Sequence, residues 1–338
     1  MNNLPEVSPS FDGLTRILYG AIPAKLLLTA IELKVFSRLS EPMSAESLAR
    51  QIGTHGQNTR LFLDGLAASD LLYKRDGRYS NTPLTHAFLV EGRPTYLGDV
   101  LADDAEWMRP ALEGLSALVK DGPPPSGRPS HSIPWPQETE IRANEQRAGR
   151  AQQAAALVGK LPEFPHMKKL LDLGGGAGLI GLAIVAAHPT MIGVVFDRPE
   201  VVKVSRRFIR EYDLEDRVTV IGGDYAKDPI GEGYDLVWTS YTLNFHRGNL
   251  DPIIRTIHAA LNPGGVYVSF AEGLTDERTK PAMMINSMLA VGLTGGDLMF
   301  DEGEIAQAML RVGFRSVYSR AADGPQPYGP AIIDIARK

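Results

Sequence analysis

The 338-residue chain contains no cysteine. That excludes disulfides, thiolate zinc sites, iron–sulfur clusters and a cysteine nucleophile together. It has no excess of positive charge: 35 Lys+Arg stand against 40 Asp+Glu, for a net charge of −5. No whole-chain attraction to nucleic acid or to an anionic membrane is expected. Long apolar runs are scarce, and none is expected to reach the ~20 residues of a bilayer span. The stretch from Met1 to Gly13 lacks the basic start and apolar core of a secretory signal, so a cytoplasmic protein is expected. No serine sits in a G-x-S-x-G elbow, which leaves hydrolase chemistry without support. His55, His86, His131, His166, His188 and His258 show no mutual spacing of a metal site, so no metal is expected.

What remains is an ordinary globular composition, 43% apolar and 22% charged, in a chain long enough for about two domains. Residues 121–136, DGPPPSGRPSHSIPWP, carry six prolines in sixteen positions. Proline lacks the N–H and clashes inside a helix, so this stretch is a loop. It separates a helix-rich front from a region that alternates strands and helices. The expected organisation is a domain over 1–100, linker helices and the proline loop over 101–160, and a larger domain over 161–338.

In the front part, Leu14, Ile17, Leu18, Ala21 and Ile22 recur at helical spacing. Ser44 is placed to cap a helix with Leu48, Ala49 and Ile52 inward, and Gly53 ends it. A third helix is expected from about Asn58, with Leu61, Leu63, Leu66 and Ala67 inward. Asp76-Gly77 then sits between two short strand-like runs, a hairpin signal. Three helices and a two-stranded wing make a winged-helix arrangement. Such a fold often reads DNA, which requires a basic face. Positions 1–100 instead hold ten basic and ten acidic residues, and the would-be recognition helix offers Arg60 beside Asp64 and Asp70. A second copy of the chain, meeting the apolar first ~40 positions, is the better partner.

The back part gives five apolar strands, ending LLDL, IGVVFD, VTVIGGD, YDLVWTSY and GGVYVSFAE. Helical stretches over 199–212, 249–261 and 301–312 separate the later ones. Apolar strands alternating with helices mean a parallel sheet covered on both faces. The fold class is therefore α/β, a doubly wound, Rossmann-like domain preceded by the winged helix. Its ligand is expected at the carboxyl ends of the strands.

The strongest motif is Asp172-Leu173-Gly174-Gly175-Gly176-Ala177-Gly178, between a strand and a helix. Glycines there let backbone approach a ligand without a Cβ in the way. Asp197 ends the second strand, where a carboxylate can accept both hydroxyls of a ribose. A pyrophosphate would be repelled by Asp172, whereas a sulfonium and an α-amino group would be attracted. That favours S-adenosylmethionine (SAM) over a dinucleotide. The third strand ends in Gly222-Gly223-Asp224-Tyr225, where an acid can bond the adenine amino group and a ring can pack on the base. Gly174, Gly175, Gly176, Gly178, Arg198 and Ser240 complete the expected cofactor-binding set.

At this point LLDLGGGAGLIGLAI, VVFDRPEVV, VTVIGGDY and LNPGGVYV resemble the successive motifs of class I SAM-dependent methyltransferases. The chain from about residue 14 onward resembles the small-molecule O-methyltransferases of the plant caffeate and bacterial hydroxyindole type. AIELKVFSRL, SAESLARQIG, LLYKRDGRYSNTPLTHAFL and MLAVGLTGGDLMFDEGEIAQAMLRVGF carry that likeness. The resemblance implies SAM as methyl donor, S-adenosylhomocysteine as product and an N-terminal winged-helix dimerisation domain. It implies contacts to SAM from Gly174, Gly176, Asp197, Asp224 and Tyr225. It also implies a homodimer that brings one N-terminal helix near the partner's acceptor pocket.

One departure bears on chemistry. Family members that methylate a hydroxyl carry His-Asp-Trp after the fourth strand, the histidine being the base. This chain has Tyr241-Thr242-Leu243-Asn244-Phe245-His246, with Asn244 at the histidine's place. An amide takes no proton at neutral pH. His246, two residues on, is either a realigned base or a bystander in a loop beside Arg247. Glu272 matches the acid that orients the histidine in the family. Losing the base lowers O-methylation relative to N-, C- or S-methylation, since a thioether needs only placement. Acceptor contacts are expected from Trp107, Met108, Arg142, Gln146, Tyr241 and Met288. Arg142 is either a clamp for a carboxylate-bearing thioether or part of a solvated helix face. Met284 and Leu289 extend the Met288 stripe, and Trp135 is a candidate cover. The alternatives to a general small-molecule methyltransferase are a thioether S-methyltransferase, a SAM-binding cyclase or hydroxylase, and a winged-helix regulator.

Overall fold

The apolar runs of the back part become strands because most are buried on both faces, the run over 218–222 at the sheet edge excepted. In a computed structural model, which describes residues 8–125, 133–322 and 329–338, the chain divides into two compact units, Met1–Asp103 and Asp104–Lys338. His131 lies outside the described residues.

The first unit holds a small sheet of β1 (Met43–Ser44), β2 (Leu72–Arg75) and β3 (Arg78–Asn81), in the order β1-β3-β2. Asp76 and Gly77 both take positive φ, 48° and 74°, the two-residue turn whose twist suits a hairpin. Ser44 accepts the Ser47 N–H at 3.3 Å and starts the helix Ala45–Ile52, and Gly53 closes it at φ 69°. The next helix, Gly56–Ala68, begins two residues before the expected Asn58, because His55 Nδ1 accepts the Asn58 N–H at 3.3 Å. Leu63 and Leu66 are buried there, but Leu61 is exposed. Two residues turn a helix by about 200°, so Leu61 cannot share the inward face of Leu63. Arg60 of this helix and Lys74 of the wing are tied to one acid: Asp64 takes Arg60 at 3.0 Å, Lys74 at 2.5 Å and the Tyr79 hydroxyl at 2.6 Å.

Among the described residues three helices precede them, Asp12–Tyr19, Ala21–Glu32 and the short Val35–Arg38. Leu14, Ile17 and Leu18 are 72%, 79% and 70% exposed. One expectation is corrected here. The run Asp12–Glu32, with a mean hydropathy of 1.4, is long and apolar enough by length and composition to cross a bilayer. Read from the sequence, the scattered polar residues hid this because they divide the run without making it short.

The second unit is built on seven strands: β4 (Lys169–Leu173), β5 (Ile192–Asp197), β6 (Val218–Gly222), β7 (Tyr234–Ser240), β8 (Leu261–Glu272), β9 (Ser316–Ala321) and β10 (Ala331–Arg337). Their order is β6-β5-β4-β7-β8-β10-β9. The first five run parallel. The last two, absent from the sequence reading, add an antiparallel pair, with β10 between β8 and β9. Strand periodicity sends Leu170, Val195 and Trp238 to one face, under the helices Ala151–Val158, Leu179–Ala186 and Val202–Glu211. Leu171, Phe196 and Val237 go to the other, under Leu250–Ala260 and Glu304–Val312. Each such fully buried side chain contributes roughly 1.5–3 kcal/mol. The order in which strands are added to the sheet reverses between β4 and β7, and this switch brings the ends of β4, β5 and β7 together, where α/β sheets bind ligands.

Candidate active site

The glycine turn leaves β4 directly. Gly174 and Gly176 take φ of 68° and 58°. A Cβ on Gly174 would lie 2.3 Å from the Thr242 methyl, so the loop after β7 packs against the turn itself. A Cβ on Gly176 would meet no atom nearer than 3.9 Å, so there is room for a ligand beside its Cα. Asp172 lies beneath the turn, 2% exposed, and its Oδ2 accepts the Gly181 N–H at 3.0 Å. Burial pushes its carboxyl up to about 7, with the Gly181 N–H pulling the other way and Asp197 adding to the rise. Asp172 therefore shapes the turn from inside. Gln146, expected at the acceptor, clasps the turn instead. Its Oε1 accepts the Leu179 N–H at 3.1 Å and its Nε2 donates to the Gly175 carbonyl at 3.5 Å.

At the end of β5, Asp197 Oδ2 accepts the Gly176 N–H at 2.8 Å and Oδ1 accepts the Arg198 N–H at 2.7 Å. Burial raises its pKa and these two N–H groups oppose the rise. The carboxylate is thus fixed in orientation with lone pairs to spare. The Arg198 guanidinium stacks 4.6 Å from the Trp135 ring. Past β6, Asp224 binds Lys227 at 2.7 Å, and that bond chiefly lowers its pKa. The Tyr225 hydroxyl donates to the Thr242 carbonyl at 2.9 Å, tying this corner to the same loop that meets Gly174. His246 packs edge-on against the Tyr225 ring, 5.2 Å between centroids. Ser240 ends β7.

Tyr241, next along, takes φ 53° and lines a cavity of about 950 Å³. Burial pushes its phenol up to about 12. Trp107, Met108, Arg142, Asn244, Glu272 and Met288 share that wall, as do Met284 and Trp135. Leu289 does not. Arg142 binds Asp104 at 2.6 Å, with Glu138 and Glu145 each 3.9 Å away. Trp135 meets Phe245 edge-on at 5.9 Å. At the far wall, Asn244 Nδ2 donates to Glu272 Oε1 at 2.7 Å and to the Leu298 carbonyl at 2.8 Å. The Phe300 N–H also donates to Glu272 Oε1, at 2.7 Å.

A glycine turn with an oriented, largely buried acid at the end of the next strand, beside a largely apolar cavity, is the layout of an enzyme that brings a cofactor to a small molecule. Residues 143–315 match the model of the O-methyltransferase domain, and residues 15–91 match the O-methyltransferase dimerisation domain. The chain belongs to the O-methyltransferase family. It is a SAM-dependent methyltransferase with a Rossmann-like catalytic fold and an N-terminal dimerisation domain. Among relatives, it is 30% identical to the N,N-dimethyltransferase OxyT of Streptomyces rimosus, over 86% of this chain and 87% of that one. It is 27% identical to the tetracenomycin polyketide synthesis 8-O-methyl transferase TcmO of Streptomyces glaucescens, over 92% and 93%. The crystal structure of human N-acetylserotonin methyltransferase in complex with SAM shares its fold, with a TM-score of 0.80 at 20% identity, covering 98% of each chain.

Within this methyltransferase, the structure gathers the glycine turn, Asp197, Asp224 and Tyr225 around one corner, and Trp107, Met108, Arg142, Tyr241, Met288, Asn244 and Glu272 around the cavity. Gln146 and His246 stand with the first group. Phe245, Leu298 and Met299 also line the cavity and were not singled out from the sequence. Leu298 and Met299 lie in the segment GGDLMF, more than fifty residues from Asn244, where no local pattern announces a pocket.

Proposed function

We propose that this methyltransferase transfers the methyl group of SAM to a ring-bearing, largely apolar small molecule held in the 950 Å³ cavity. The observation that carries this reading is the composition of that wall, with Trp107, Trp135, Tyr241, Phe245 and four methionines around a few polar groups. Methionine adapts its shape and aromatic faces stack on flat rings. The names of OxyT and TcmO, one an N- and the other an O-methylating enzyme, fit an acceptor of natural-product type.

The residues at the strand ends suit SAM. The space beside Gly176 and the fixed carboxylate of Asp197 would take its methionyl and ribose parts. Asp224 and Tyr225 would meet its adenine, with Arg198 and Ser240 at the rim. Asp172 and Gln146 would act through the turn that they hold. SAM supplies a methyl on a positively charged sulfur, displaced in line by the acceptor atom. For that displacement the protein chiefly supplies alignment and exclusion of water. The reading includes a homodimer, since the exposed Leu14, Ile17 and Leu18 offer an apolar face next to the matched dimerisation domain. It also includes a cytoplasmic place of action.

The test is release of S-adenosylhomocysteine from SAM with a panel of phenols, naphthols, aromatic amines and thioethers. Methylation of at least one ring-bearing acceptor, abolished in Asp197→Ala, is expected. A wild-type protein that binds SAM but methylates only small, non-aromatic acceptors would overturn the reading.

A further inference from the structure

Glu272 and Asn244 form a pair with two oxygens left over. Glu272, at the end of β8, is 3% exposed, and its Oε1 takes both the Asn244 amide and the Phe300 N–H. Its Oε2 is buried without a hydrogen-bond partner among the described residues. Asn244 is 9% exposed, and both hydrogens of its Nδ2 are spent, on Glu272 and on the Leu298 carbonyl. A carbonyl only accepts, so the amide orientation is fixed and Oδ1 faces away, also buried without a partner. Buried polar atoms are almost always satisfied, and exceptions call for a ligand or a function.

Both residues line the acceptor cavity. The other carboxylates on that wall, Asp104, Glu138 and Glu145, surround Arg142. His246 is not on the wall and rests against Tyr225. We propose that Glu272 is the proton acceptor of the methyl transfer, with its Oε2 taking the proton of the hydroxyl or amine that is methylated and Asn244 as its positioning residue. This rests on the reading of the cavity as the acceptor site.

The step balances. The acceptor's lone pair forms the new bond to carbon, the S–CH₃ bond breaks and its electron pair stays on sulfur. The acceptor's proton passes to Oε2. One positive and one negative charge disappear together, which suits a dry cavity. A thioether carries no such proton and would leave both oxygens unmatched, so the acceptor class is a phenol, alcohol or amine. Burial raises the Glu272 pKa, while the Asn244 and Phe300 hydrogen bonds and the charge of Arg247 restrain the rise. Tyr241 is the other titratable group set against it.

The test uses the full-length protein with SAM and three probes of one ring size: naphthol, naphthylamine and methyl naphthyl sulfide. Glu272→Gln keeps an oxygen for both donors at Oε1 and puts an amide nitrogen at Oε2. Its kcat on naphthol or naphthylamine is expected to fall ~10²–10⁴-fold, with KM changed by less than about threefold. Formate is expected to restore part of the rate in Glu272→Ala. Asn244→Ala removes a bond that lowers the carboxyl's pKa, so the acid limb of its kcat–pH profile is expected to move to higher pH. The proposal is overturned if Glu272→Gln keeps its kcat, or if formate rescues nothing and the Asn244→Ala limb stays in place. It is equally overturned if a wild type with bound SAM methylates only the sulfide or none of the three. Calorimetry with S-adenosylhomocysteine separates the two levels: wild-type protein that fails to bind it removes the methyltransferase reading of the site, whereas binding without a Glu272 effect removes this inference alone.

Discussion

Replacing Asp197 by asparagine changes one atom and removes one charge, and the structure says what that does. Each carboxylate oxygen already accepts a backbone N–H, from Gly176 at 2.8 Å and Arg198 at 2.7 Å. However the amide turns, one of those N–H groups then faces a donor. In the proposed placement of SAM, the ribose hydroxyls would lose a charged acceptor as well. Hydrogen bonds to a charged group contribute about 1.5–3 kcal/mol against about 0.5–1.5 for neutral ones. Two weakened ribose bonds therefore cost about 2–3 kcal/mol, or roughly 30- to 150-fold in the dissociation constant of S-adenosylhomocysteine. Asp197→Ala removes both bonds and the support of the turn, so at least ~10²-fold is expected. Burial makes the charge costly in the empty site, so thermal stability without ligand should change little. Isothermal calorimetry at fixed pH reads the affinity, and a melting curve checks the fold. A folded Asp197→Ala protein that binds within about threefold of wild type would falsify the assignment of Asp197 to the ribose.

Two further outcomes are expected. Asp172 has a folded-state pKa of about 7 against an ordinary 3.8, because of burial. The folded chain then holds the proton more tightly than the unfolded one, so stability is greatest below the unfolded value, falls as pH rises toward 7 and levels off above it. Asp172→Asn, neutral at every pH, keeps an acceptor for Gly181, so its advantage over wild type should widen by about 3 kcal/mol between pH 5 and 8. Urea midpoints at the two values check this, and a constant difference contradicts it. At the other end of the chain, Ile17→Arg with Leu18→Arg puts two charges on the exposed apolar face. Light scattering is expected to give twice 36.8 kDa for wild type and 36.8 kDa for the variant. A wild type that is monomeric at micromolar concentration removes the homodimer.

The parts legible in the sequence are those set by local chemistry. The alternation of apolar strands and helices, the turn between β4 and its helix, the Ser44 cap and the Asp76-Gly77 hairpin each depend on residues a few positions apart. The antiparallel β9 and β10 escaped because a pair of strands after the last helix has no crossover to announce it. Leu61 was misplaced because it opens the apolar run Leu61-Phe62-Leu63, and only the helix turn decides which of the three faces inward. Gln146 stood among acceptor residues on sequence position, yet its side chain bonds the Leu179 N–H and the Gly175 carbonyl, partners about thirty residues away. The site around Asn244 was half legible. The loss of histidine was plain from the motif, but the partners that Asn244 bonds, Glu272 and Leu298, lie 28 and 54 residues farther along the chain. Contacts at that separation follow from the packing of the loop before Glu304 onto the end of β8, and no spacing rule foretells them.

The central claim is that one crevice holds a nucleoside cofactor with its reactive end turned to the cavity of Asn244 and Glu272. A crystal structure with S-adenosylhomocysteine tests it most directly. The account expects the ribose hydroxyls on Asp197, the adenine beside Asp224 and Tyr225, and the sulfur facing the cavity lined by Tyr241 and Glu272. The molecule bound elsewhere, or with its sulfur turned away from that cavity, contradicts it.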